Sequence, residues 1–254
     1  MGTSIVFVNE KGGVGKTSLC FNSAWALAEE GKKVCMIDLD GQIANLSFFC
    51  GVDKKNCKTM YDVLVKNCPV TEAIQKVRDG LYIIPATDDV IAITAQNSKI
   101  SAMQRAIKTL DPLFDFIFVD INPTPGRSHA LALASVDYAL IPMLADVTSL
   151  AANTGIVESV RIARKNGNPN LKVLGLVFNR YSWRSLLSRQ VTATAEKMAA
   201  SLQSKVFRTK IRSNTALAET VGQHIGVTQY APNANGSIDI KNLCKEIIEE
   251  VNKQ

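Results

Sequence analysis

The chain has 254 residues, carries a formal net charge of +6, and is 46% hydrophobic and 20% charged. That length suits one large α/β domain or two small ones, and no run of about 18 apolar residues suggests a membrane span. The six cysteines (Cys20, Cys35, Cys50, Cys57, Cys68 and Cys244) form no C-x-x-C pair. They are therefore expected as reduced small hydrophobes rather than as disulfides, zinc ligands or an iron–sulfur centre. The basic balance permits an acidic partner. The N-terminus enters a strand at once, so no signal peptide is expected.

The first element is the apolar strand Ser4–Asn9, which runs straight into Glu10-Lys11-Gly12-Gly13-Val14-Gly15-Lys16-Thr17-Ser18. Glycines let successive backbone N–H groups converge on an anion, Lys16 supplies charge, and the Thr17 hydroxyl suits a Mg²⁺ ligand. A helix is expected over Lys16–Glu30 with Gly31 as its C-cap, and its positive dipole end faces the same loop. Glu10 stands where the general P-loop pattern has glycine, and Lys11 adds a second lysine at the loop's mouth.

The second strand, Lys33–Leu39, ends in Asp38-Leu39-Asp40. Alternation puts Asp38 and Asp40 on one side at the carboxyl end of a strand, where open parallel sheets bind ligands. Two carboxylates there suit a Mg²⁺-bound water or the orientation of an attacking water. A short helix over Thr59–Val65, a strand over Leu81–Pro85 and a helix over Asp89–Leu110 ended by Asp111-Pro112 follow. The strand Phe116–Ile121 carries Asp120 after four apolar residues, a Walker-B-type end that reaches the Mg²⁺ shell. Strands at Tyr138–Pro142, Lys172–Phe178 and Lys205–Arg208, and helices at Ser149–Lys165, Ser185–Gln203 and Ile238–Asn252, complete the pattern. Short apolar runs alternating with helices predict a mostly parallel, twisted α/β sheet with helices on both faces, of P-loop NTPase type, as a single domain over 1–254.

Lys11–Ser18 with the Asp38–Asp40 strand end resembles the deviant P-loop of the ParA/MinD family of ATPases, and the similarity runs to the terminal helix. The resemblance implies ATP and Mg²⁺ as ligands, with Lys11, Gly12, Gly13, Val14, Gly15, Lys16, Thr17 and Ser18 around the phosphates. It implies that Lys11 crosses a dimer interface to the partner's nucleotide and that Asp40 positions the hydrolytic water, with Lys16 the third catalytic group. Thr17, Asp38 and Asp120 are the candidate metal residues. Asn179, whose amide suits a purine edge, and Arg180 are candidate adenine contacts. Departures are Gly41 in place of proline, a longer Gln42-Ile43-Ala44-Asn45 stretch, Asn122 in the Asn122–Gly126 switch loop, and Ala216 where arginine is common.

From Asn179 to Arg212 eight basic residues accompany one acid, Glu196. Such a bias suits phosphate-backbone binding without base readout. Arg184, Arg189 and Arg212 are the candidate DNA contacts, Arg184 by resemblance. The whole implies a ParA-like ATPase, cytoplasmic and nucleoid-associated. It would dimerise with ATP, bind DNA nonspecifically, and partition or position a cargo with a ParB-like activator. Two alternatives stay open: a MinD-like membrane-positioning ATPase and an amide-forming synthetase. The C-terminal tail from Cys244 is as acidic as basic and lacks aromatics, so no membrane attachment is expected. Lys11 and the basic stretch argue against the synthetase.

Overall fold

The computed structural model describes residues 1–41, 45–86, 99–183 and 186–253. Among them, seven strands form one sheet: β1 (Thr3–Phe7), β2 (Val34–Leu39), β3 (Gln75–Arg78), β4 (Leu81–Ile84), β5 (Phe116–Ile121), β6 (Tyr138–Leu144) and β7 (Lys172–Asn179). The order is β3-β4-β2-β5-β1-β6-β7, parallel throughout except where β3 meets β4. The helices are α1 (Lys16–Glu29), α2 (Leu46–Phe49), α3 (Met60–Leu64), α4 (Ile100–Leu110), α5 (Arg127–Leu133), α6 (Val147–Asn166), α7 (Leu186–Ser201), α8 (Ala216–Gln223), α9 (Val227–Tyr230) and α10 (Asn235–Asn252).

The central strands lack polar alternation because both faces are covered. In β5, Ile117, Val119 and Ile121 enter a core with Met103 and Ile107 of α4 and Leu131 of α5. Phe116 and Phe118 enter the opposite core with Leu19 and Trp25 of α1 and Leu243 and Ile247 of α10. Phe7 and Phe118 meet edge to face at 5.1 Å between centroids. Each such buried side chain stabilises the fold by roughly 1.5–3 kcal/mol relative to exposure. The carboxyl ends of β1, β2 and β5, at the middle of the sheet, therefore stand on a floor packed from both sides.

Several elements depart from the sequence expectation. β3 carries Gln75, Lys76 and Arg78, a charged antiparallel edge whose four residues have no apolar run to mark them. Lys205–Arg208 forms one bridge to β7 rather than a strand. Leu176 N donates to Lys205 O and Phe207 N to Leu176 O, and then the Arg208 N–H turns to Glu246. Phe207 takes the space above Gly175, where a Cβ would collide with its ring. The helix expected over Asp89–Leu110 is described from Ile100, and its earlier part lies outside the described residues.

Candidate active site

The loop after β1 adopts backbone that its glycines permit. Gly13 and Gly15 have φ of 74° and 93°, in the left-handed region that other residues avoid. Gly15 is the N-cap of α1, and no side chain caps that helix, so its leading N–H groups stay open toward an anion. A Cβ on Gly15 would also strike the Asn179 amide. Asn179 Nδ2 donates to Val14 O at 2.9 Å, and its Oδ1 accepts from Arg180 N at 2.9 Å. The residue expected at an adenine edge thus buttresses the loop from the end of β7. Arg180 follows, exposed and with φ of 51°.

Strand register assembles the charged floor. Asp38 and Asp120 are direct partners across β2 and β5, and Asp120 also pairs with Phe7 of β1. Asp120 is fully buried, and neither of its carboxylate oxygens has a hydrogen-bond partner among the described residues. Burial pushes its carboxyl well above the usual range and Asp38 adds to this. Thr17 and Lys16 oppose the shift, and Asp40 reinforces it. The Thr17 hydroxyl is near enough to pull the carboxyl back down. Lys16 is buried too; desolvation lowers its ammonium from the ordinary value while Asp120 and Asp40 pull it back.

Asp38 is spent differently. Its Oδ1 accepts from Asp40 N at 2.9 Å, and its Oδ2 accepts from Ser47 N at 2.8 Å and Ser47 Oγ at 2.5 Å. Burial lifts its carboxyl to about 6, against these hydrogen bonds. Ser47 Oγ in turn accepts from Ala86 N, so Asp38 ties the β2–α2 turn to the end of β4. Asn45 holds the same turn, donating to Asp40 O and accepting from Phe48 N as the cap of α2. Gln42, Ile43 and Ala44 lie outside the described residues. The result is a fixed backbone beneath Asp40, whose carboxylate acts on both Lys16 and Asp120.

These residues fit a Mg²⁺–phosphate ligand. The orphaned Asp120 carboxylate, the buried Lys16 ammonium and the glycine cradle are each unsatisfied in a way that a phosphate and a cation would complete. Among the described residues no three His, Cys, Asp or Glu side chains converge as a self-contained metal cage. Mg²⁺ bound through one or two protein ligands, phosphate oxygens and waters needs none.

Lys11 is paired with an acid outside the loop. Its backbone N–H donates to Asn9 Oδ1 at 2.9 Å, while Asn9 Nδ2 donates to Pro142 O. Its ammonium pairs with Asp146, between β6 and α6, at 2.9 Å. Glu10 accepts from Ser159 Oγ of α6 at 2.8 Å, and its carboxylate fills the notch at Gly155, where a Cβ would strike it. The departure at Glu10 therefore docks the loop onto α6. Pro123 of the switch loop lies 3.9 Å from where a Gly12 Cβ would be. Beyond it, Asn122 O takes a hydrogen bond from Nε2 of buried His129 at 2.9 Å, and desolvation lowers the pKa of that imidazole. Asp146, Ser159 and His129 carry no signal in the sequence: a lone Asp after a strand, a helical Ser and a single His form no motif.

The basic stretch changes character in three dimensions. Arg212 makes a two-pronged pair with Asp239, Arg208 pairs with Glu249 and Glu246, and Lys205 pairs with Glu250. All four acids stand on α10, so three of the eight basic residues of the stretch are paired with acids from the far end of the chain. Arg189 is exposed on α7, apart from the nucleotide cluster, and Arg184 lies outside the described residues.

Comparison with known proteins agrees with this geometry. The model of the AAA domain family matches residues 2–173. The chain is 31% identical over 248 residues to the chromosome-partitioning ATPase Soj of Thermus thermophilus, covering 97% of this chain and 96% of that protein. It is 30% identical over 253 residues to the chromosome partitioning protein ParA of Caulobacter vibrioides, covering 96% and 93%. Among solved structures, the septum site-determining protein MinD of Pyrococcus horikoshii, complexed with Mg-ADP, superposes with a TM-score of 0.80 at 26% identity, covering 97% and 96%. The chain belongs to the AAA domain family as an ATPase of the ParA/MinD type.

Proposed function

We propose that this protein is a partition- or positioning-type ATPase that dimerises on binding ATP and Mg²⁺ and binds DNA without sequence preference. A ParB-like activator would stimulate its hydrolysis, and it would work in the cytoplasm on the nucleoid. The observation that supports this reading is the cradle itself, in which Lys16 and the open N–H groups of α1 stand beside Asp120, while the second lysine, Lys11, pairs with Asp146 and is the residue assigned to a second protomer's phosphates. Lys16 and the open N–H groups of α1 would hold the phosphates, and Mg²⁺, when bound, would supply neutralisation of phosphate charge. Thr17 and Asp120 are the residues that would hold it. Asp38, with its oxygens committed to Asp40 and Ser47, serves by fixing Asp40, which orients the attacking water.

The DNA surface is assigned to Arg184 and Arg189, with Arg212 contributing through the part of its side chain left open beside Asp239. A MinD-like membrane role is weakened because the apolar residues of α10, Ile240, Leu243 and Ile247, are committed to the core. Among the described residues no helix is long and apolar enough to cross a membrane. Sedimentation of the protein with DNA or with liposomes, each in ATP, separates the readings. Co-sedimentation with DNA alone supports the partition reading, and co-sedimentation with liposomes alone replaces it.

A further inference from the structure

Trp183 is 57% exposed, yet it is held firmly. Tyr181 N donates to Ile211 O and Ile211 N to Phe178 O, so the chain leaving β7 is pinned to the 211–212 segment. The Tyr181 ring meets the Trp183 ring edge-on at 4.9 Å, and the Tyr181 hydroxyl reaches Thr192 of α7 at 3.3 Å. Lys210 then places its ammonium 4.5 Å from the centroid of each ring. A single exposed aromatic is ordinary on a protein surface. This one differs in that a tyrosine ring and a cation are both packed against it while 57% of it stays exposed, so part of the indole is presented to solvent in a set orientation.

The surroundings decide what that exposed part takes. It borders a groove of about 430 Å³ that mixes the cations Arg208, Lys210, Arg212 and Lys245 with the carboxylates Asp239, Glu246 and Glu249, with Trp183 as its sole aromatic among the described residues. A protein-binding hot spot needs an apolar cluster that excludes water around the anchor, and none lines this cavity. A flat π-face flanked by ammonium groups matches a nucleobase with its phosphate. Arg208 and Arg212 are held by α10 carboxylates, whereas Lys210 and Lys245 form no ion pair among the described residues. These two lysines, with the open part of Arg212, are the cations assigned to the backbone.

We propose that Trp183, backed by Tyr181 and Lys210, is a stacking platform for an unpaired nucleobase. It would make the DNA surface grip single-stranded DNA in addition to duplex. This rests on the DNA-binding reading above and adds a ligand class to it. A duplex keeps its bases stacked on one another and presents no free π-face, so it gains nothing from Trp183.

The chain's other tryptophan, Trp25, is 4% exposed and covered by Arg78, which makes fluorescence a direct probe of Trp183. The test titrates the full chain in Mg-ATP at low salt with an oligothymidylate of about 16 nucleotides, and separately with a random-sequence duplex. The expected result is quenching of tryptophan emission by the oligothymidylate and none by the duplex. Trp183→Ala is expected to lose about tenfold in affinity for the oligothymidylate and to bind duplex within about twofold of the parent. Trp183→Phe should keep most of the single-strand affinity and lose the quenching, which guards against a folding defect. Duplex binding with an oligothymidylate that leaves emission unchanged, or unaltered oligothymidylate affinity in Trp183→Ala, overturns the platform alone. Failure to bind either DNA overturns both the platform and the DNA reading beneath it.

Discussion

The ammonium of Lys11 and the carboxylate of Asp146 meet at 2.9 Å, so the lysine that marks this P-loop is held in cis by the turn entering α6. Both side chains are partly exposed, at 23% and 38%, and solvent screening limits such a pair to about 1 kcal/mol or less. If Lys11 must leave Asp146 to cross a dimer interface, two pairs break per dimer. Asp146→Asn is therefore expected to lower the concentration at which ATP drives dimerisation, by up to about thirtyfold. Analytical ultracentrifugation across a concentration series measures this. An unchanged midpoint would show that the pair does not restrain Lys11.

Lys16 and Thr17 act on the same ligand through different groups. Lys16→Ala removes a buried ammonium from the floor of the cradle, where each charge-assisted hydrogen bond is worth about 1.5–3 kcal/mol. Calorimetry is expected to show ATP affinity reduced by about tenfold or more for every phosphate hydrogen bond that the ammonium supplies. Thr17→Ala is expected to bind nucleotide in the absence of Mg²⁺ much as the parent does, and to lose most of the gain that Mg²⁺ confers. Near-normal ATP affinity in Lys16→Ala would remove the P-loop assignment.

Asn179 offers a choice between two roles. As a buttress that donates to Val14 O, it orders the phosphate loop and is blind to the base. Asn179→Ala is then expected to weaken ATP and GTP binding by similar factors, about fivefold to tenfold for one buried hydrogen bond. A contact to adenine predicts instead that ATP affinity falls toward that for GTP, which stays put. Competition binding with the two nucleotides distinguishes them.

The buried Asp38 makes a statement about stability in the absence of nucleotide. Its carboxyl is raised to about 6 in the folded chain, so between about pH 4 and pH 6 the folded protein keeps a proton that the unfolded chain releases. The stabilising contribution of this proton is complete below the unfolded value and is lost as pH rises through about 6. Asp120 shifts in the same direction, which makes the effect of the whole floor steeper. Denaturant unfolding of the parent and of Asp38→Asn should therefore diverge with pH. From pH 4 to 7 the parent is expected to lose up to about 3 kcal/mol relative to the variant. Parallel pH profiles would contradict the shift.

Much of the site was legible because its parts are local in sequence. The spacing of Gly13, Gly15, Lys16 and Thr17 is itself the cradle, and the apolar runs before Asp38 and Asp120 marked central strands. The pairing of Asp38 with Asp120 was not legible, since it depends on the register of β2 against β5. Nor was the division of labour among the carboxylates. Hydrogen bonds to Ser47 and Asp40 separate an anchoring Asp38 from Asp120, whose carboxylate has no such partner among the described residues. The surroundings of the basic stretch were not legible for a related reason. Charge counted along the chain omits Asp239, Glu246, Glu249 and Glu250, which α10 brings in from the far end. β3 escaped notice because an edge strand has one free side and tolerates Lys76 and Arg78.

The central claim is that Lys11 completes a second protomer's site while Asp40 serves hydrolysis. Light scattering of Asp40→Ala in Mg-ATP tests it most directly, measured beside the double variant Lys11→Ala/Asp40→Ala with ATP binding checked in both. A stable ATP-bound dimer is expected for the single variant and an ATP-bound monomer for the double variant. A double variant that dimerises with ATP as fully as Asp40→Ala would contradict it.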